Sequence, residues 1–163
     1  MYTIVNLMTL TYAQAKSIDH YAYSYLGFNP YELVAIAGYK LACFIKDLYV
    51  KNVKANIICV YGKGFNGSDA LVASRWLNYW GYNVELWSPY HLEDLSTYNQ
   101  HYLNQLKRYH LTTIACSSIP ETLIANCDCL IDGLLGVGVK ASYHDLIHPV
   151  IKHINALTKN IVS

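Results

Sequence analysis

Charge is scarce in this sequence: only 14% of its 163 residues are Asp, Glu, Lys or Arg, and the formal net charge is +1. The twelve basic residues are scattered rather than gathered into a stripe, which argues against nucleic acid or an anionic membrane surface as a partner. Any anion must therefore be held by a local device. No apolar run approaches the ~18 residues that a membrane span needs. The opening MYTIVNLMTL lacks the basic start and small-residue cleavage site of a signal peptide, so a cytoplasmic protein with no membrane partner is expected. Linker-like stretches of Ser, Gly or Pro are missing too, and a hydrophobic content of 53% leaves little room for disorder. The expectation is a single domain over residues 1–163.

Several kinds of chemistry lack their residues. The five cysteines are odd in number. Cys43 lies in a helical pattern and Cys59, Cys116 and Cys129 in strand-like runs, so they read as buried thiols rather than a disulfide frame. Cys127 and Cys129 form C-x-C without the second pair that a zinc site requires. His144 and His148 are spaced i, i+4 and His153 follows, but with Asp145 as the one carboxylate nearby they read as a solvated helix face. No Ser-His-Asp arrangement follows from the spacing.

What is present is an ordered alternation. Thr11-x-x-Gln14 is a capping box opening a helix to about Leu26, with Gly27 as its left-handed stop. Asn29-Pro30-x-Glu32 opens a second helix, whose apolar stripe is read as Leu33, Ile36, Ala37, Leu41, Phe44, Ile45 and Leu48. From residue 55, strand-like runs at 55–61, 82–87, 111–116, 128–132 and 160–163 alternate with helical stretches near 69–80, 96–109, 120–126 and 144–157. That order implies right-handed βαβ crossovers. The expected fold is a Rossmann-like, doubly wound α/β domain: a mainly parallel sheet of order 3-2-1-4-5 in a three-layer α/β/α sandwich, preceded by two N-terminal helices.

Gly62-Lys63-Gly64-Phe65-Asn66-Gly67 matches G-x-G-x-x-G directly after the first strand and before a helix. Glycines there allow a tight turn, so that amide N–H groups and the positive end of the helix can face a phosphate. A purely structural turn remains the alternative. Ser68 stands where a Walker A loop has Lys, which argues against nucleotide hydrolysis by that route. Asp69 is out of place for a dehydrogenase loop, and Glu85, inside the next strand pattern, is a poor ribose ligand. Strands 1 and 4 are neighbours in the expected order, so the Gly62 loop should face the segment Asp132-Gly133-Leu134-Leu135-Gly136-Val137-Gly138. A carboxylate at the end of an apolar strand needs a partner. For Asp132 a cation shared with Asn66 and a cap on its own turn are both open.

These residues resemble the NAD(P)H-hydrate epimerases. The resemblance rests on Thr11, Gln14 and Asp19; on Ala37-Gly38; on Gly62-x-Gly64-x-Asn66-Gly67-x-Asp69 followed by Val72, Ala73 and Arg75; on the Asp132 to Gly138 segment; and on Ile151, Ile154 and Asn155. It implies a dinucleotide, hydrated NADH or NADPH, held by Phe65, Asn66, Gly67, Ser68 and Asp69 and by Gly136, Val137, Gly138, Val139, Lys140, Ala141 and Ser142. It further implies a potassium ion at Asn66 and Asp132, a separate or fused dehydratase that consumes one epimer, and no assigned catalytic residue. The family's N-N-G-G-D stands here as Phe65-Asn66-Gly67-Ser68-Asp69, and Ala70 replaces the next Gly. The chain stops at Ser163, where the family continues into D-x-P-S-G, so truncation at the C-terminus is also expected. The alternatives are a non-catalytic nucleotide-binding or dimerisation module of the same fold, which would admit a homodimer, and, less favoured, an NAD-dependent dehydrogenase.

Overall fold

A run of apolar and β-branched residues with no polar alternation is what a strand buried on both faces requires, and Asn56-Ile-Ile-Cys-Val-Tyr61 has that character. In the computed structural model, which describes residues 10–111, 113–115, 124, 126–136, 144–155 and 160–162, this run is the central strand β1 (Asn56–Tyr61), buried at every position after Asn56. It pairs in parallel with β2 (Asn83–Ser88) on one side and β4 (Cys129–Gly133) on the other. Strand β3 (Thr113–Ala115) extends the first side and β5 (Asn160–Val162) the second, giving the order β3-β2-β1-β4-β5, parallel throughout. The doubly wound sheet and its order are therefore as expected. β3 begins after Leu111, which the expected run included, while residues 112 and 116 of that run and almost all of the helix expected near 120–126 lie outside the described residues.

Among the described residues the helices that accompany the strands include α1 (Tyr12–Ser24), α2 (Pro30–Leu48), α3 (Phe65–Tyr79), α4 (Thr97–Leu106) and α5 (His144–Asn155). Short 3-10 turns lie at Leu92–Asp94 and Lys107–Tyr109. The chain divides into two compact units, residues 1–33 and 34–163. In the first, the Thr11 hydroxyl accepts from the Gln14 N–H at 3.3 Å while the Gln14 side chain accepts from the Thr11 N–H at 2.8 Å, the reciprocal pairing read from the sequence. Asn29 and Glu32 repeat this at the start of α2, at 2.8 and 3.0 Å. Among the described residues no helix is long and apolar enough to cross a membrane.

In the second unit the buried face of α2 agrees with the expected stripe only in part, at Ile45 and the half-buried Leu41. Val34, Gly38, Ala42 and Ile45 are buried, whereas Ile36, Phe44 and Leu48 are 48%, 46% and 54% exposed. Gly38 is the reason. A methyl group there would sit 2.5 Å from Val72 Cβ and 2.6 Å from the Asp69 carbonyl oxygen, so α2 lies against α3 at Gly38. Close approach of backbones at Gly38 turns that face inward, and Ile36, Phe44 and Leu48 are left outside.

Helix α3 also starts earlier than the pattern suggests, at Phe65 rather than near residue 69, with Gly64 as an extended N-cap. The expected loop is thus a three-residue turn, Gly62 to Gly64, and the remaining motif residues form the first turn of a helix.

Candidate functional site

The site is built where β1 and β4 end side by side. Val60 is in register with Asp132 and Tyr61 with Gly133, and the Gly62 N–H continues the ladder to the Gly133 carbonyl at 2.9 Å. Both glycine segments therefore leave the sheet at its carboxyl edge, from adjacent strands. They also interlock. A Cβ on Gly62 would collide with the Leu134 carbonyl, and one on Gly136 would lie 3.2 Å from Asn66 Cβ.

Among the described residues no side chain caps α3: Gly64 offers none, and the first turn carries no acidic residue. The first-turn N–H groups and the positive end of the helix dipole are thus available to an anion. Phe65 is 49% exposed at the mouth of the turn, Asn66 and Asp69 are half-buried, and Gly67 and Ser68 are buried beneath them. The outer surface of this turn is made by Phe65, Asn66 and Asp69.

Asn66 bridges the two segments, donating from Nδ2 to the Leu135 carbonyl at 2.8 Å and lying 3.5 Å from that of Asp132. The half-buried Asp132 accepts from the Leu134 N–H at 3.1 Å through Oδ1 and so caps its own turn. One side-chain amide, two backbone carbonyls and one carboxylate converge on this corner. Gly136 is exposed at its rim. Val137, Gly138, Val139, Lys140, Ala141 and Ser142, also read as substrate-binding, lie outside the described residues.

Sequence reading missed a third wall. The first turn of α4 stands beside the glycine turn: the Tyr98 ring lies 4.8 Å from that of Phe65, and the fully buried Asn99 donates from Nδ2 to the Gly62 carbonyl at 3.3 Å. Ser96-x-x-Asn99 carries a capping signature, but nothing in the sequence says what the second residue faces. Elsewhere, Cys59, Cys127 and Cys129 are buried cysteines outside any disulfide, Cys43 is half-buried and likewise not in a disulfide, and Cys116 lies outside the described residues. Among the described residues no group of three His, Cys, Asp or Glu could hold a metal. His148 is exposed, while the side chains of His144 and His153 are outside the description.

Comparison with known proteins bears on the family and the fold. A family model described as YjeF-related protein N-terminus matches residues 30–163. The chain is 29% identical over 163 residues to an NAD(P)H-hydrate epimerase of Plasmodium knowlesi, covering 98% of this chain and 55% of that protein. It is 27% identical over 143 residues to the chloroplastic pyridoxine/pyridoxamine 5'-phosphate oxidase 1 of Arabidopsis thaliana, covering 88% of this chain and 26% of that one. The chain thus spans about half and about a quarter of these relatives, and most of the plant oxidase lies outside the match. The crystal structure of the yeast protein ynu0 superposes with a TM-score of 0.73 at 19% identity, covering 96% of this chain and 70% of that one, which is a likeness of fold. With its carboxyl-edge glycine segments and a matching family model over most of its length, this chain belongs to the YjeF-related protein N-terminus family.

Proposed function

We propose that the chain binds hydrated NADH or NADPH across its two glycine segments and interconverts the epimers of the hydrated nicotinamide ring. The observation that carries this reading is the uncapped start of α3 interlocked with the Asp132 to Gly136 segment at one sheet edge. A dinucleotide needs an anion site for its pyrophosphate and open surface on both sides for its two nucleosides. The α3 N–H groups supply the first, and Phe65, Asn66 and Asp69 supply part of the second. Epimerisation inverts one carbon without net electron transfer, so no redox partner is required. A dehydratase acting on one epimer is the partner reaction that would draw on the product.

The corner between Asn66 and Asp132 fits a potassium ion by its carbonyl and carboxylate oxygens, whose single formal charge suits a hard cation; Asn66, whose Nδ2 serves the Leu135 carbonyl, would turn its amide oxygen to the ion. Asn66 and Asp132 would hold it. The ion would supply positive charge opposite the pyrophosphate. Phe65 and Ser68, in place of a polar residue and a glycine, favour a second reading in which the chain binds the dinucleotide without turning it over.

The test is interconversion of the separated hydrate epimers, followed by chromatography against the uncatalysed blank, in potassium and in a bulky organic cation. Turnover above the blank that falls in the organic cation, and that in Asp132→Asn is low in potassium and no longer depends on the cation, is the expected result. Binding without turnover would move the chain to the second reading. An Asp132→Asn variant that melts earlier but keeps the wild-type ion dependence would leave Asp132 as a turn cap alone.

A further inference from the structure

We propose that Asn99 is a positioning residue for the dinucleotide site, fixing the Gly62 to Gly67 turn from α4; this rests on the reading above for what the turn binds. The inference follows from where its two amide atoms go. Ser96 already caps α4, since its hydroxyl accepts from the Asn99 N–H at 3.2 Å and donates to Asn99 Oδ1. The helix start is satisfied without the amide nitrogen. Nδ2 instead leaves the helix and donates to the Gly62 carbonyl, 37 residues away in sequence, at 3.3 Å and shut off from solvent.

Gly62 is the pivot of the site. Its N–H is bound to Gly133, and Leu134 lies against its Cα. Its carbonyl meets Asn99 on one side and the Cα of Gly67 on the other, where an added Cβ would collide with that carbonyl and come within 3.1 Å of Asn99 Nδ2. One amide group therefore contacts both ends of the turn whose N–H groups are offered to the anion. The Ser96 hydroxyl holds Oδ1, so the amide cannot rotate without losing a hydrogen bond, and the buried Gly62 carbonyl has this donor at hand. Outside the turn, the Tyr98 ring against Phe65 adds a second link from the same helix.

Asn99→Asp keeps the size and the Ser96 contact but sets an oxygen against the Gly62 carbonyl. Ser96→Ala keeps the amide and frees its orientation, and serves if the first variant fails to fold. Leu103→Ala, in the buried face of the same helix, is the control for lost packing. The probe is NADP+, by calorimetry, together with the amide resonances of Gly62, Gly64 and Gly67 in nitrogen-15-labelled protein. The expected result for Asn99→Asp is at least a tenfold rise in Kd with displaced Gly64 and Gly67 resonances, a smaller change of the same kind in Ser96→Ala, and neither change in Leu103→Ala despite its lower melting temperature. Unmoved glycine resonances in folded Asn99→Asp or Ser96→Ala, or equal displacement in Leu103→Ala, would overturn the proposal. If wild type binds no NADP+, the functional reading fails, and the glycine resonances alone decide the role of Asn99.

Discussion

Ser68 carries a hydroxyl with neither a hydrogen-bond partner nor solvent. Leaving such a group unsatisfied costs about 1–3 kcal/mol. Ser68→Ala removes the oxygen and improves helix propensity, so the variant should gain on the order of 1 kcal/mol, read as a higher denaturant midpoint at unchanged m. Ser68→Gly removes the same oxygen but adds backbone freedom worth about 1 kcal/mol in a helix, and should come out near neutral. A loss of stability in Ser68→Ala would show that the hydroxyl has a use in the fold. Phe65, one turn earlier, faces outward beside Tyr98, so these two of the departures from the family pattern differ in kind: one changes the interior of the turn and the other its surface.

At the scale of elements, the contact between α2 and α3 decides where the site begins. Gly38→Ala gains roughly 1 kcal/mol of helix propensity, but its methyl meets Val72 and the Asp69 backbone, and overpacking of that kind costs about 1–3 kcal/mol. The net should be a loss of up to about 2 kcal/mol in a melting experiment, with weaker dinucleotide binding as α3 is displaced; a stabilised variant would contradict this packing. Such contacts also mark what could be read from the sequence. β1 was legible because burial on both faces demands an unbroken apolar run, and the meeting of Gly62 with Asp132 followed from strand order alone. The buried face of α2 was legible only at Ile45 and Leu41, because periodicity weights large residues while Gly38 made the closest contact with α3. The start of α3 at Phe65 was hidden by the poor helix propensity of Gly67. Asn99 was invisible because the fold alone brings α4 to the glycine turn.

Across the whole molecule, burial of the sheet's middle strands ties stability to alkaline pH. Burial pushes the Cys59 thiol up to about 12 from its usual 9.0, with the nearby Asp132 charge adding to the rise and the Ser74 hydrogen bond opposing it. Cys129, on the adjoining strand, is likewise raised to about 12, by burial first and then by Cys127 and Asp128. Tyr61 rises from 10.0 to about 12 through burial, against a hydrogen bond with Thr113 at 2.7 Å. In each case the neutral acid is the buried form. Below pH 9 both folded and unfolded chains hold these protons, and the full stability is present. Above it the unfolded chain releases them while the folded chain does not, so the unfolded state binds fewer protons and stability falls with rising pH. The loss should run from about pH 9 towards pH 12, set by the two thiols first and Tyr61 next. Melting temperature should accordingly be level near pH 8 and decline through pH 11. Tyr61→Phe, which deletes one of the three protons, should start lower for want of the Thr113 bond but decline less steeply. Cys59 and Cys129 should resist a thiol reagent until the chain unfolds. A melting temperature that stays level to pH 11, or native thiols that react at pH 8, would mean the centre of the sheet is open to solvent.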